Sequence, residues 1–520
     1  MVELNPFRSW VPKPLGVLIY ILLLIPCLTV GGVYGSITSE IVGLRGIQSD
    51  DVQMATYCLT IGMAAFGPFM ARVARINRHR ALILICFSIL ILLSLVVRQT
   101  EEQLILWVCS ICIGFFRMMA LIICLLGMLS YITGKNMGMM LEHSKERTEA
   151  EWKKTMYMLS AGMTLIYLFC LSIAQAGTSL TAWIAEYMSS QSVYNCMILW
   201  MAVMMSVVII LEPRHSFDDL PQAPKGDTHW PFTAGRMLSA LLMTISMASF
   251  AFMASHGYNM DWFSARPIRI AAASCLFFLG AFLLSDLVRE PKNRYFDYEL
   301  FSLPATRWSL LLFVVMMLIN SSTLLTSVCT QMTVRLDQWQ SACLNMWGWI
   351  GYLIASLFIF FTFKFLNYRY YWTLAFCCFA VYAAGIYLGV QNQMLYNDLR
   401  YLIVIRSIGM FTIYSTVMVL SFYHRPAEWL PSWSLAMLVL RNVFAPAVGV
   451  ALYQQGLLNG QQEYLQVHAL AYNSTTIVQG TLAAVKELAG YTLWAVIAVI
   501  LFLMFYQWKW LDGDKQETKA

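Results

Sequence analysis

The stretch 104–133, LILWVCSICIGFFRMMALIICLLGMLSYIT, carries one charge, Arg117, near its middle. A bilayer core is crossed by roughly 20 apolar residues rising about 1.5 Å each, so this run suffices. An arginine at mid-depth costs about 2.5–3.5 kcal/mol on insertion scales. Its guanidinium should therefore face protein or a wet cavity rather than lipid. Two roles fit: Arg117 lines or gates a transport path, the reading preferred here, or it bonds neighbouring helix carbonyls as a structural residue.

Composition extends this reading to the whole chain. Of 520 residues, 59% are hydrophobic and 12% charged, against roughly 25% charged in soluble domains. The mean hydropathy is +0.64. A soluble protein of this size could not hide so much apolar surface, which implies an all-α membrane protein. The net charge of +6 is no sign of nucleic acid, because in such chains the placement of basic residues sets orientation. The 13 cysteines lie mostly in apolar runs. Cys109 and Cys112 form a C-x-x-C inside a span, where thiol redox or zinc chemistry is not expected; Cys377 and Cys378 read as packing residues. No cofactor or metal site is implied.

About fourteen transmembrane helices are expected. Six lie near 16–36, 52–71, 81–97, 104–133, 156–184 and 195–211. The first reads as helix 1, too long for a leader's apolar core. After a proline- and charge-rich linker come two more, near 237–254 and 270–285. The last six lie near 308–331, 339–363, 370–390, 401–422, 433–453 and 490–508. The count suggests two similar six-helix bundles, 1–215 and 305–520, joined through 216–304 by a two-helix insertion, as in repeat-built transporters. With both termini cytoplasmic, the outer connections hold only Arg45, Arg98, Arg266, Arg269, Arg335, Arg400 and Lys486. That asymmetry satisfies the positive-inside rule.

Charges within the expected spans are all cationic: Arg117, Arg406 and Arg441. In a repeat scheme Arg117 and Arg406 fall on corresponding helices, while Arg441 reads as an end-of-helix residue snorkelling to the surface. Helix 9 carries Asn320, Ser321, Ser322 and Thr323 in succession, and helix 10 carries Asn345, Trp347 and Trp349. These either line a cavity or join helices through small hydroxyls. Pro68 and Pro446 are expected to kink their spans.

Residues 68–80, PFMARVARINRHR, resemble the helix 2–3 loop signature of the major facilitator superfamily, with Arg72, Arg75, Arg78 and Arg80 as its conformational loop. Arg117, preceded by GFF, stands where that family has its helix 4 arginine. Three further stretches are similar to the fourteen-helix drug:proton antiporter branch: Asp261-Trp262-Phe263-Ser264, the run from Glu290-Pro291 to Asp297–Phe301, and Leu440-Arg441 to Leu452. There are departures. Arg75 replaces the family's loop aspartate, helix 1 has no acid, and the Gly-Pro pair of helix 5 is missing. The resemblance thus implies fold and transport more firmly than proton coupling. The nearest candidates for coupling are Glu40, Asp51 and Asp286, each reading first as an ordinary solvated loop carboxylate.

The implied function is secondary active transport by alternating access, exporting drug-like or amphipathic compounds and driven by protons. The location implied is a bacterial inner membrane, with a periplasmic adaptor and an outer-membrane channel as partners beside the small-molecule substrate and membrane lipid. The alternative is carriage of an anionic metabolite or lipid read by Arg117 and Arg406. A membrane-embedded transferase lacks its carboxylate or histidine cluster, and no nucleotide-binding G-x-x-x-x-G-K-[ST] is present. The connection 454–489 reads as an amphipathic helix, either docking an outer partner or lying on the bilayer.

Overall fold

The structure is a computed structural model describing residues 7–73, 79–133, 149–212, 232–290, 294–302, 304–362, 367–390, 394–423, 430–468 and 473–506. Among them the regular structure is entirely helical. The chain forms two compact units, one from Met1–Lys153, Leu180–Leu300 and Arg425–Val443, the other from Lys154–Ser179, Phe301–His424 and Phe444–Ala520.

The first unit contains α1 (Lys13–Thr29), α2 (Thr38–Arg45), α3 (Ser49–Phe66), α4 (His79–Gln99) and α5 (Gln103–Thr133). The end of α6 (Glu149–Tyr187) follows, then α7 (Ser190–Leu211) and the helix pair α8 (Ala234–His256) and α9 (Arg266–Leu287). Its tightest crossing joins α3 to α5 backbone to backbone. A Cβ built on Gly62 would lie 1.9 Å from the Ile111 carbonyl oxygen, and one on Gly114 would lie 1.9 Å from that of Leu59. Only glycine fits either place. Helix α8 packs on α3 and α9 packs on α8, and α9 ends in a polar knot. The Asp286 carboxylate accepts the backbone N–H groups of Tyr295 (2.7 Å) and Phe296 (3.1 Å). The Tyr295 hydroxyl then donates to the Ala65 carbonyl at 2.8 Å.

The second unit contains α10 (Pro304–Asn320), α11 (Thr323–Cys329), α12 (Gln338–Met346), α13 (Gly348–Thr362), α14 (Tyr368–Gly389) and α15 (Tyr396–Tyr423). After α16 (Leu430–Val439), which belongs to the first unit, it continues through α17 (Ala445–Val467) and α18 (Ser474–Phe505). Its core joins Leu325, Cys329, Tyr382, Ile386, Ile403 and Val485.

The chain is a multi-pass membrane protein. Among the described residues 12 helices are long and apolar enough to cross a membrane, including both members of the α8–α9 pair. They match the third to fourteenth expected spans. The first two fall short for local reasons: α1 stops at Thr29 after 17 residues, and α3 opens with Ser49-Asp50-Asp51 and ends where Gly67 and Pro68 turn it into a 3-10 step. Pro446 lies in the first turn of α17, directly after a π-turn at Leu440–Phe444.

The connection 454–489 corrects an expectation. Its described part is neither a separate helix nor a loop, but the prolongation of α17 to Val467 and the early start of α18 at Ser474. The two helices pack closely, with the site of a Gly460 Cβ only 2.8 Å from the Ala484 side chain. Asn473 caps α18 through a reciprocal bond with Thr476. The amphipathic pattern read from the sequence is the apolar seam of this hairpin.

Candidate functional site

One helix of each unit, α1 in the first and α10 in the second, ends abruptly, and polar residues gather at the breaks. In α1, Pro26 has no N–H to give, which frees the Leu22 carbonyl; the Trp200 indole on α7 donates to that oxygen at 3.2 Å. Beyond Thr29 the backbone turns extended at Val30 and runs through Gly31-Gly32. A Cβ on Gly32 would meet Ser110 Oγ at 2.0 Å, so this backbone lies directly on α5. A helix ending here leaves its last carbonyls without partners. Arg117 supplies them: Nε donates to the Cys27 carbonyl at 2.8 Å and Nη2 donates to that of Leu28. The Tyr194 hydroxyl holds the unwound strand through the Gly32 carbonyl at 3.1 Å. The half-buried guanidinium thus caps the negative end of a helix dipole.

In the second unit, α10 ends at Asn320 and α11 starts at Thr323. Asparagine and serine side chains compete with the backbone for hydrogen bonds, and a run of them weakens a helix. Ser321 Oγ donates back to the Met317 carbonyl at 3.1 Å, and α17 approaches at Gly449, where a Cβ would lie 2.2 Å from Ser321 Oγ. Tyr382 on α14 ties the break together: its hydroxyl bonds Thr326 Oγ1 and donates to the Ser322 carbonyl at 3.3 Å. Arg406 on α15 lies over the same ring, its Cζ 5.7 Å from the centroid. Buried polar atoms in this region without a hydrogen-bond partner among the described residues include Asn320 Oδ1, Ser322 Oγ and Arg406 Nε. Leaving each unpaired costs about 1–3 kcal/mol.

The structure therefore gathers the Ser322 carbonyl, Thr326 and Arg406 around Tyr382, with Asn320 and Ser321 in the same helix break. Asn345 and Trp347 stand elsewhere in the same unit, where α12 gives way to α13. The Gln175 side-chain amide donates to the Asn345 carbonyl, and Arg400 stacks over Trp347 at 4.4 Å. Of the arginines in the 68–80 stretch, Arg75 and Arg78 lie outside the described residues, as does the side chain of Arg72. Arg80 donates to the Ile209 carbonyl in the last turn of α7 at 3.1 Å.

The expected coupling carboxylates are placed unevenly. Glu40 is half-exposed; burial, then its neighbour Glu186, raise its pKa above the ordinary carboxylate range, opposed by a backbone hydrogen bond from Ser190. Asp51 and Asp286 correct the sequence reading: they are 3% and 0% exposed, not solvated. Both sit where elements join and collect donors there. Asp51 Oδ2 accepts from Gln103 Nε2 at 2.7 Å, and Oδ1 lies 3.2 Å from His256 Nε2. The neighbouring Asp50 accepts from the Tyr258 hydroxyl at 2.6 Å, from Asn259 Nδ2 and from Ser49 Oγ. Burial and then the bond to Asp50 push the Tyr258 hydroxyl well above the ordinary phenol range. His256, 4% exposed, stacks on Phe252 at 4.4 Å and has its Nδ1 2.8 Å from Ser255 Oγ. Sequence reasoning passed over this histidine. Its only signal was a His-Gly-Tyr-Asn run closing one span while Asp50-Asp51 opens another.

No family model matches the chain, and no curated protein matches it. Solved structures do. A peptide transporter, POT, in complex with sulfate aligns with a TM-score of 0.56 at 12% identity, over 96% of this chain and 96% of that one. Tetrameric PepTSo2 gives 0.53 at 11%, over 95% and 97%. The fold is of the major facilitator type. The nucleoside transporter NupG aligns likewise, with a TM-score of 0.50 at 12% identity, over 94% of this chain and 98% of that one. At such identities the likeness concerns the major facilitator-type fold alone.

Proposed function

We propose that the chain is a secondary active transporter working by alternating access, and that it exports amphipathic, drug-like compounds at the expense of a proton gradient. The observation that carries the reading is the helix break between Asn320 and Thr323 in the second unit, where Asn320 Oδ1 and Ser322 Oγ are buried without a partner among the described residues and Arg406, its Nε likewise unpaired, lies over the Tyr382 ring. Irregular backbone at membrane depth is tolerated where protein or a water-filled cavity surrounds it, and broken helices commonly build substrate sites in carriers. The named activities of the similar structures, peptide and nucleoside transport, accord with this class of work.

The finer organisation belongs to the same proposal. It has fourteen spans with both termini cytoplasmic, bundles at 1–215 and 305–520 around the insertion 216–304, and residence in a bacterial inner membrane. Arg72, Arg75, Arg78 and Arg80 serve as the conformational loop, with an adaptor and an outer-membrane channel beyond. One specific observation favours a second cargo. Arg406 meets an aromatic face rather than a carboxylate, and a guanidinium free to donate is a ready partner for an anionic group. Arg117, engaged with the α1 carbonyls, is less available for that role.

The test uses everted vesicles with cationic dyes and anionic metabolites, with and without a proton gradient. Arg406→Gln should cut anion accumulation at least about tenfold, the worth of one charged hydrogen bond, while sparing cationic dyes. Equal transport of anions by the wild type and the variant removes the anionic reading; no accumulation of any compound removes the transporter reading.

A further inference from the structure

We propose that Asp51 and His256 form the proton-binding site of this protein, with the extra helix pair α8–α9 supplying the imidazole. The proposal deepens the proton-coupled transport reading and rests on it for its purpose, though not for its chemistry.

Asp50 and Asp51 are adjacent, each 3% exposed, and among the described residues no lysine or arginine is hydrogen-bonded or ion-paired to either carboxylate. Two buried anions without a cation are costly, and the ordinary remedy is to bind a proton. The start of α3 offsets part of that cost through its dipole, and Asp50 has in addition three neutral donors, Tyr258, Asn259 and Ser49. Asp51 has one, Gln103, and its other oxygen faces the imidazole. His256 is thus the one bonded partner able to turn cationic, and imidazole is the side chain whose ordinary charge change falls between roughly pH 5 and 8.

The surroundings satisfy the imidazole in both states. When His256 is neutral, Nε2–H donates to Asp51 Oδ1 and Nδ1 accepts the Ser255 hydroxyl, 2.8 Å away. When a proton arrives from water on Nδ1, that N–H donates to Ser255 Oγ. The serine proton then turns to the Phe252 carbonyl, 3.2 Å from Oγ. One rotation of one hydroxyl accommodates the change, and no buried group is stranded. Gln103, which bonds Asp51, is itself exposed, so the carboxylate side of the pair lies one residue from the surface. The other groups packed here are Tyr57 and Met54 from α3, Trp107 from α5, whose indole donates to the Asp51 carbonyl at 3.2 Å, and Phe252 from α8. Glu101 and Glu102, just before α5, are exposed. The pair lies where α3, α5 and α8 meet, so its charge bears directly on how the inserted helices hold to this unit.

The test has two arms. In the first, the full-length purified chain is labelled with ¹⁵N-histidine, and the resonance that vanishes in His256→Gln is followed against pH. It should show a protonation transition, and that transition should move to more acidic pH in Asp51→Asn and in Ser255→Ala. Should His256→Gln fail to fold, a chain with the other six of the seven histidines changed to glutamine isolates the same signal. A His256 signal in one state across the range, or a transition indifferent to Asp51→Asn, overturns the proposal. In the second arm, Asp51→Asn in vesicles should lose gradient-driven accumulation of any compound the wild type moves, while gradient-free exchange of that compound persists. Wild-type accumulation retained by Asp51→Asn also overturns it. If the wild type moves nothing, the transport reading has failed, and the histidine titration still decides the proton site.

Discussion

Replacing Arg117 with methionine tests whether the guanidinium holds the end of α1. The side chain keeps its length and apolar stem, and the two hydrogen bonds to the Cys27 and Leu28 carbonyls are lost. A hydrogen bond from a charged donor contributes about 1.5–3 kcal/mol net, so the variant should unfold about 3–6 kcal/mol more easily. The cost of placing an arginine in hydrocarbon does not offset this, because an unfolded but inserted helix bears that cost too. Arg117→Lys keeps a cation that can serve one carbonyl, and should lose about half as much by the same reckoning. The assay is unfolding in mixed micelles by graded SDS, followed by tryptophan fluorescence on purified protein. An Arg117→Met variant within about 1 kcal/mol of wild type would refute the capping argument and return Arg117 to the transport path.

Other expectations follow from the same packing. Gly114→Ala places a methyl 1.9 Å from the Leu59 carbonyl oxygen; since backbone must yield, the loss should reach the upper part of the usual 1–3 kcal/mol for overpacking, about 3 kcal/mol, read by the same SDS titration. Trp200→Phe strands the Leu22 carbonyl left open by Pro26 and should cost about 1 kcal/mol; a neutral result means that water serves that carbonyl. Glu40 has a raised folded-state pKa, so native protein prefers its protonated form. Stability should fall as pH rises from the ordinary carboxylate range to that raised value, and stay lower above it. Glu40→Gln should therefore melt higher than wild type near neutral pH, and level with it below the ordinary carboxylate range.

Much of the molecule is legible from its sequence, and the gaps have physical reasons. Long apolar runs identify the helices from His79 onward, because length and hydropathy are local properties. The run Asn320-Ser321-Ser322-Thr323 flags a weak point in the ninth expected span, and the structure breaks there. What one chain could not disclose is partnership at a distance. Asp51 and His256 are 205 positions apart, and nothing near either residue says that the other will cover it, so the aspartate reads as solvated. For Arg117 the sequence left two roles open, since the carbonyls it meets exist only because α1 stops at Thr29. The 454–489 stretch misled for the opposite reason: a polar, amphipathic pattern looks the same on a bilayer surface as on a helix packed against its neighbour.

That last feature has a practical side. Helix α18 covers 32 residues, about 48 Å at the usual rise, beside a hydrocarbon layer of about 30 Å. Its partner α17 runs 23 residues alongside. Some of this hairpin must stand clear of lipid, as a stiff mast rooted in the second unit. A nanobody or a short peptide label grafted between Val467 and Asn473 would give electron microscopy a landmark on an otherwise lipid-wrapped molecule, and would reveal from which face of the membrane the mast rises.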